Sequence, residues 1–549
     1  MDERSSTATA KKWSSSSGSS TRSRRCSMQV SKRTRVAAVA ALGALVVSAC
    51  SASVVPDSED AAPQHGGSLV VGLEGSWVSL DPMRATTYVS FSVLQTIYDP
   101  LFDLDENGDV VPNLATGYEM SDDGLVYTVD LEQGISFQDG TPFDADAVVT
   151  NFDRVRDPAN GCSCLGELGV LDAVEAVDES TVRFTLNRPQ AGFPVMVLGG
   201  AAGLMGSPRA IEETGGDLAK DPVGTGPFVL DQEVPDNSVR VKAWDDYRDP
   251  ERPYLDSVEF RVIADSDSRY SSLTSTAIDV ADNVSVTWLN DAELNPSLEI
   301  RPQGASGSNF VMFQMGEDSP FQDPRARQAA CMALDPELID EALYGGIRLT
   351  GQESPFPTES RWDLGEVDGY SSYDPEQAKE IVDELGGISF ELNFTNSPDN
   401  VRVGQALAAQ WEVVGIDAKI RPMDQPTLVE NAFGHNFDAM FYRWRGAMDP
   451  DGNVTRWFHS SLATPDTPSS NYNLVSDEEL DQLMTSAAET TDQDERMDRY
   501  RAVAERLAVL TPYCYVWGAD WNRIMLTNVH GIPDRPDNIM MLRDAYVVE

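Results

Sequence analysis

Two periods alternate along the chain. Runs such as 125–131 (LVYTVDL), 181–186 (TVRFTL) and 239–243 (VRVKA) switch between apolar and polar residues, as half-buried strands do. The runs at 68–73 (SLVVGL) and 416–421 (IDAKIR) also read as strands. Between such runs lie segments whose apolar residues recur at helical spacing. That spacing predicts helices over 88–98, over 374–385 with Pro375 at its second position and a Gly386-Gly387 stop, and over 401–414. Residues 477–510 read as two helices rich in Asp, Glu and Arg. Strands occur in hairpin and in helix-crossover settings, which predicts a mixed α/β protein of more than one lobe. No repeat of 20–50 residues and no heptad array occurs, so solenoid and coiled-coil architectures are poor fits.

The first 49 residues depart from this pattern. Lys32-Arg-Thr-Arg35 precedes the apolar run 36–47, and Ser48-Ala49-Cys50 follows. A cationic stretch, a short apolar stretch and small residues make a secretory signal peptide. The run is too short for a bilayer core of about 30 Å, which needs roughly 20 residues. Val47-Ser48-Ala49-Cys50 resembles the lipobox of bacterial lipoproteins, which implies that Cys50 is diacylated and becomes the first mature residue. Residues 50–66 are small, acidic and Pro-containing, a tether rather than a fold. The Ser-rich segment 13–25 is low in complexity. Initiation at Met28 gives a compact leader, so the natural start is placed there.

Charge sharpens the division. The whole chain carries 41 Lys+Arg and 89 Asp+Glu, a formal −48. Residues 1–49 hold nine basic and two acidic side chains, so the remaining 500 hold 32 against 87, or −55. So acidic a body repels phosphate backbones and excludes nucleic acid as a partner in the absence of a basic patch. A hydrophobic fraction of 41% with 8% aromatics is too apolar for a disordered chain and supplies large cores. Lysine is scarce after the leader, only Lys220, Lys242, Lys379 and Lys419. Four cysteines remain there, Cys162, Cys164, Cys331 and Cys514, with three possible pairings. Cys162-Ser-Cys164 can bridge locally, whereas Cys331 lies in a helical pattern and reads as a buried small apolar residue.

An ordered series of short strings runs through the body: Tyr98-Asp-Pro-Leu-Phe102, Pro112-Asn-Leu-Ala115, Phe137-Gln-Asp-Gly-Thr-Pro-Phe143, Pro222-Val-Gly-Thr-Gly-Pro-Phe228, Tyr254-Leu-Asp-Ser-Val-Glu-Phe260 with Ile278-Asp279, Asp323-Pro-Arg-Ala-Arg-Gln-Ala329 with Ala333-Leu-Asp335, Tyr373-Asp-Pro-Glu-Gln-Ala378 and Asp449-Pro450. In these strings, from about residue 67 to Gly531, the chain resembles the family 5 extracellular solute-binding proteins of peptide- and nickel-type ABC importers. The resemblance implies a two-lobed periplasmic-binding-protein-like α/β fold (type II, cluster C) that closes on a ligand by hinge motion. Carried over, lobe I takes 67–108, 221–307 and 516–549, an inserted subdomain takes 109–220, and lobe II takes 308–515. It also implies a monomer held on the extracytoplasmic face of the cell membrane by its lipid, with ABC permease subunits and their cytoplasmic ATPases as partners. Neither a cofactor nor a resident metal is implied.

Several constellations invite chemistry. Asp103-Leu-Asp-Glu-Asn-Gly108 opens like a calcium loop, but Leu114 stands at the twelfth position where a Glu is needed, so it reads as a hairpin turn. His65, His435, His459 and His530 form no close pair, and no nucleophile elbow or phosphate loop occurs. The best candidate for ligand contact is Met440-Phe-Tyr-Arg-Trp-Arg-Gly-Ala-Met-Asp449: an apolar strand ends in Arg443, Trp444 and Arg445, where an α/β sheet presents its loops. Trp offers a flat apolar wall and Arg a fork matched to a carboxylate. By resemblance Thr395 and Asn396 face the same cleft, opposite Trp77, Trp288 and Asn309, while Trp457, Trp517 and Trp521 line the cleft or fill the core.

One departure stands out. Many peptide binders of the family place an Asp after this Trp to hold the peptide's α-amino group, whereas this chain has Ala447 there, with Asp449 and Asp451 nearest. The expectation is capture of a peptide-like solute for an ABC importer. A nickel chelate, an oligosaccharide or an opine-like solute is the alternative within the class. A surface-anchored hydrolase or a chaperone-like receptor is the alternative outside it.

Overall fold

The computed structural model describes residues 62–548 apart from 304–306, 349–350, 357–359, 446–447, 466, 468, 519–520 and 536, and only the backbone of 302, 303, 444 and 445. The leader, Cys50 and Ala447 therefore lie outside the described residues.

Strand β1 (Ser68–Leu73) opens the fold, followed by the hairpin β2 (Phe102–Leu104) and β3 (Val110–Pro112). Next come β4 (Ala115–Met120), β5 (Val126–Leu131), β6 (Leu171–Asp178) and β7 (Thr181–Leu186). After them run β8 (Phe228–Val234), β9 (Ser238–Ala243), β10 (Ser257–Val262), β11 (Val280–Ala281) and β12 (Leu298–Gln303). The second half holds β13 (Gly307–Phe313), β14 (Ile388–Thr395), β15 (Ile416–Met423), β16 (Ala439–Arg445), β17 (Tyr513–Gly518) and β18 (Trp521–Leu526). A short pair, β19 (Val529–His530) and β20 (Tyr546–Val547), completes the set.

These strands form three larger sheets. Lobe I is built on a seven-stranded sheet in the order β12-β18-β11-β1-β10-β9-β8. Strand β1 runs parallel to both its neighbours, β10 and β11, and its side chains are buried from Val71 to Leu73. Burial on both faces explains why SLVVGL is a nearly unbroken apolar run. Lobe II is built on a five-stranded sheet in the order β15-β14-β16-β13-β17. The four-stranded antiparallel sheet β4-β5-β7-β6 belongs to a separate body with its own core around Phe137, Phe152, Phe184 and Phe193. Its strand β5 alternates buried and more exposed residues, as its sequence period requires. Strand β17 keeps Val516, Trp517 and Gly518 in the lobe II sheet, so the return to lobe I comes after 518 rather than at 516.

Three of the recurrent strings meet at one junction. A Cβ on Gly224 would lie 2.2 Å from the Ile97 carbonyl oxygen, and one on Gly226 2.6 Å from the Ile97 carbonyl carbon. Both positions thus require glycine for close backbone approach, not for a left-handed φ. Gln138 then donates to the carbonyls of Ile97 (3.2 Å), Gly226 (3.0 Å) and Phe228 (2.8 Å). The strings at 98–102, 137–143 and 222–228 are therefore the seam between lobe I and the four-stranded body. The string at 323–329 is also architectural. Asp323 caps the helix Pro324–Met332, and the buried Arg327 donates to the carbonyls of Phe321 (2.6 Å) and Leu510 (2.8 Å). Burial pulls that guanidinium down to about 10, still charged at neutral pH.

Cys162 and Cys164 are bonded to each other, and Cys331 to Cys514. The second bond corrects the reading of Cys331 as a free apolar residue. It is buried, as expected, but it ties the helix Pro324–Met332 to β17, across 183 residues of chain. Asp103–Gly108 is the β2–β3 hairpin, with Asp105 accepting the amide hydrogens of Asn107 and Asp109 and Gly108 at φ +80°. Among the described residues no helix is long and apolar enough to cross a membrane.

Candidate functional site

A cleft between the lobes holds two chambers, of 750 and 880 Å3. Chamber one is walled by Thr87, Tyr88 and Trp521 of lobe I, by Met196 and Gly200 beside the core of the four-stranded sheet, and by Asn453, Arg456 and Trp457 of lobe II. Chamber two is walled by Asp267, Asn283 and Trp288 on the lobe I side and by Tyr344, Arg348, Asp399 and Trp517 on the other. The chambers share Glu74, Gln425, Tyr442 and Arg443. The size of each is that of a small-ligand site.

The lobes touch around the rim. Arg361 meets Asp109 at 2.6 Å, the Ala191 amide donates to the Ala488 carbonyl at 2.8 Å, and Gln190 donates to Asp451. Ser285 donates to Asp399 at 3.4 Å on the opposite side. At the boundary of the chambers Arg443, from β16, stands 3.6 Å from Glu74, which follows β1. Its guanidinium carbon lies 4.8 Å from the centre of the Trp521 ring, a cation–π contact. Asn283 donates to the second Glu74 oxygen. Burial first, then the charge of Glu74, holds the Tyr88 phenol well above its ordinary range, so it remains protonated.

Arg443 therefore lies in the cleft as the sequence suggests, and so do Thr395, Asn309, Trp288 and Trp517 in chamber two and Trp457 in chamber one. The Trp288 indole donates to Asp267 at 2.7 Å and stacks on Tyr270 at 4.7 Å. Trp517 is fully buried behind Arg348, whose guanidinium carbon is 4.8 Å from the indole centre. The side chains of Trp444 and Arg445 lie outside the described residues; their backbone pairs with Ser308 and Gly307 of β13.

Two expected contacts are elsewhere. Trp77 is buried in the lobe I core and donates to Glu233 at 2.8 Å, in neither chamber. Asn396 is exposed beyond the end of β14 and also lines neither chamber. Asp449 borders chamber one, but both its oxygens are engaged by Arg496, at 2.6 and 2.7 Å, and one also accepts the Asp451 amide at 3.0 Å. Burial opposes the Arg496 charge, and the Asp449 carboxylate outweighs it, so the Arg496 pKa is raised. Glu74, Tyr88, Arg348 and Arg456 escaped the sequence reading. Only Arg348 follows a recognisable signal, the Gly345-Gly346 end of the helix Pro336–Tyr344.

Comparison with known proteins places this geometry in a family. The model of the bacterial extracellular solute-binding proteins, family 5, matches residues 109–465. The chain is 30% identical over 460 residues to the glutathione-binding protein GsiB of Escherichia coli strain K12, covering 81% of this chain and 88% of that one. It is similar to the solved structure of the Helicobacter pylori periplasmic binding protein DppA in complex with the peptide STSA, at 25% identity and a TM-score of 0.77, covering 89% and 99% of the two chains. The Bacillus subtilis oligopeptide-binding protein AppA, solved with a nonapeptide, shares the fold at 24% identity and a TM-score of 0.79 over 89% and 100%. The two-lobed α/β architecture, the cleft between its lobes and these matches together establish that the chain belongs to the family 5 extracellular solute-binding proteins.

Proposed function

We propose that this protein captures a short peptide-like solute between its lobes and passes it to an ABC permease without bond chemistry. The observation that carries the reading is the divided cleft, whose walls offer aromatic rings, amides and guanidinium groups from both lobes. Arg456 lies 5.9 Å from the Trp457 ring centre and has no ion pair among the described residues. Such a site suits a flexible solute bearing carboxylates: the rings cover its apolar parts and the forks hold its charge. The relatives named for glutathione and peptides support the same class. The segmentation into 67–108, 221–307 and 516–549 around an inserted 109–220, with 308–515 as lobe II, belongs to this proposal, its last switch moved to after 518.

The experiment is titration calorimetry of the mature protein with glutathione, di- and tripeptides, a nickel–histidine chelate and an opine. Peptides are expected to bind at micromolar affinity or better; binding of the chelate or the opine alone overturns the reading. Attachment through Cys50 belongs to the same proposal, and Cys50→Ser is expected to release the protein from the membrane fraction as a monomer.

A further inference from the structure

Four rings form a ladder at the pole of lobe I where the tether joins the fold. His65 lies 5.2 Å from Tyr254, Tyr254 5.9 Å from Tyr546, and Tyr546 5.2 Å from His530, centre to centre. His65 is exposed and the other three are half-buried. The Gly66 amide donates to the Tyr254 carbonyl at 2.8 Å and holds the end of the tether against the ladder. Beside it Arg252, its guanidinium carbon 5.8 Å from the Tyr254 ring centre, lines a pocket of 530 Å3. The charged residues of that pocket are Arg248, Arg252 and Arg543 against Glu132, Asp249 and Asp544, so its lining is neutral on a body of −55.

We propose that this pole is a membrane-docking surface: the protein lays the ladder on the headgroups of the bilayer that holds its lipid, and its cleft then opens away from that bilayer. The inference rests on the attachment through Cys50 proposed above. Tyr and His present an apolar ring with a polar tip, and rings of that kind suit the depth of the headgroups. From Cys50 to His65 the chain takes 15 residue steps, at most about 50 Å at full extension. So short a leash keeps the pole at high effective concentration near the surface, where contacts that are weak singly become populated. Charges more than about 10 Å away are screened, so an anionic bilayer meets the neutral pocket there rather than the acidic body as a whole.

Strand direction sets the orientation. Strands β10 and β11 both run parallel to β1. His65 and Tyr254 precede β1 and β10, whereas Glu74, Asp265 and Asn283, which follow β1, β10 and β11, line the chambers. Ladder and cleft thus lie at opposite ends of the six-residue β1, about 20 Å apart. With the ladder down, the chambers face the solution from which a solute arrives. Delivery to a permease in the same bilayer then requires the pole to lift and the molecule to turn over. His459 marks the cleft side: its side chain is 28% exposed, and it follows the helix Asp451–Phe458, whose Arg456 and Trp457 wall chamber one.

The test is a histidine footprint. Protein with Cys50 intact, purified from membranes and reconstituted in vesicles of phosphatidylethanolamine and phosphatidylglycerol, is compared with Cys50→Ser protein in solution. Both are treated with diethyl pyrocarbonate, and mass spectrometry reads each histidine. His65 and His530 are expected to react at least threefold more slowly on vesicles, and His459 at an unchanged rate. His530 is decisive, because it ends the ladder away from the tether. Equal rates at His530 in the two samples overturn the proposal, as does an equal slowing of His459, which would mean that no face is preferred. Tyr254→Asp places a carboxylate within the ladder and is expected to abolish the protection of His530; protection that survives in the folded variant also overturns the proposal. Circular dichroism checks that folding, and the footprint of the unaltered protein decides the matter if the variant does not fold. Flotation separates the two ideas. If the protein floats with the vesicles while His530 is unprotected, the attachment stands and the docking surface alone falls. If it does not float, both fall.

Discussion

Two carboxylate–guanidinium pairs border the same cleft and serve opposite ends. Asp449–Arg496 is buried, with side chains 3% and 4% exposed, and is closed by two short hydrogen bonds within lobe II. Glu74–Arg443 is longer, 3.6 Å, half open to the chambers and shared between lobes. A buried pair is costly to break because the survivor is stranded without water. An exposed one contributes little to stability and is free to exchange partners. Proximity of opposite charges therefore says little about role; burial decides it.

The largest expected effect tests the first member. Arg496→Met leaves Asp449 buried and alone, and denaturant unfolding should show a loss of about 3–5 kcal/mol. Adding Asp449→Asn should restore more than half, because the stranded charge is gone; no recovery would mean that packing, not charge, sets the cost. The Trp362 and Tyr500 rings, each 5.3 Å from the Arg496 guanidinium carbon, provide a fluorescence probe of the same site.

Asp99 is an intermediate case. It is buried, its nearest cation is Arg248 at 3.7 Å, and burial, opposed by Arg248 and Arg543, raises its pKa to about 6. An unfolded Asp titrates near 4, so between about pH 4 and 6 the folded protein binds more protons than the unfolded chain. This site's contribution must therefore fall as pH rises through that window, by up to about 3 kcal/mol in total. Asp99→Asn should flatten the slope of melting temperature against pH from 4 to 7 relative to the unaltered protein. Identical slopes would show that Arg248 compensates the buried charge fully.

The smallest effect belongs to the second pair. Glu74→Gln should change unfolding free energy by less than about 1 kcal/mol despite its position between the lobes. A loss comparable to that of Arg496→Met would erase the distinction and make Glu74 a structural residue.

These contrasts also explain what could be read in advance. Strand and helix periods located most elements within a few residues: 125–131 became Val126–Leu131, and 401–414 became Pro398–Val413. The recurrent strings identified the architecture because backbone contact, as at Gly224 and Gly226, leaves no choice of residue. The place of Arg443 in the cleft wall was legible because it lies near the end of an apolar strand. Glu74 was not: it is one of many acids, and its charged partner lies in the other half of the chain. Trp77 misled for a related reason. It follows β1 as a cleft residue should, but its large apolar body packs in the core and Glu233 takes its single donor.

The position of β18 has a consequence for the order of events during synthesis. It lies between β12 and β11, inside the lobe I sheet, although it is the last long strand to be made. The Met540 amide donates to Ser92, 448 residues upstream. Chains usually complete their amino-terminal unit first. Here the first-made lobe must wait for the final segment before its sheet can close, while all five lobe II strands have already been made. A premature stop just after Gly518 would thus destroy the older lobe, the one that carries Glu74, although every strand of the younger one had been made.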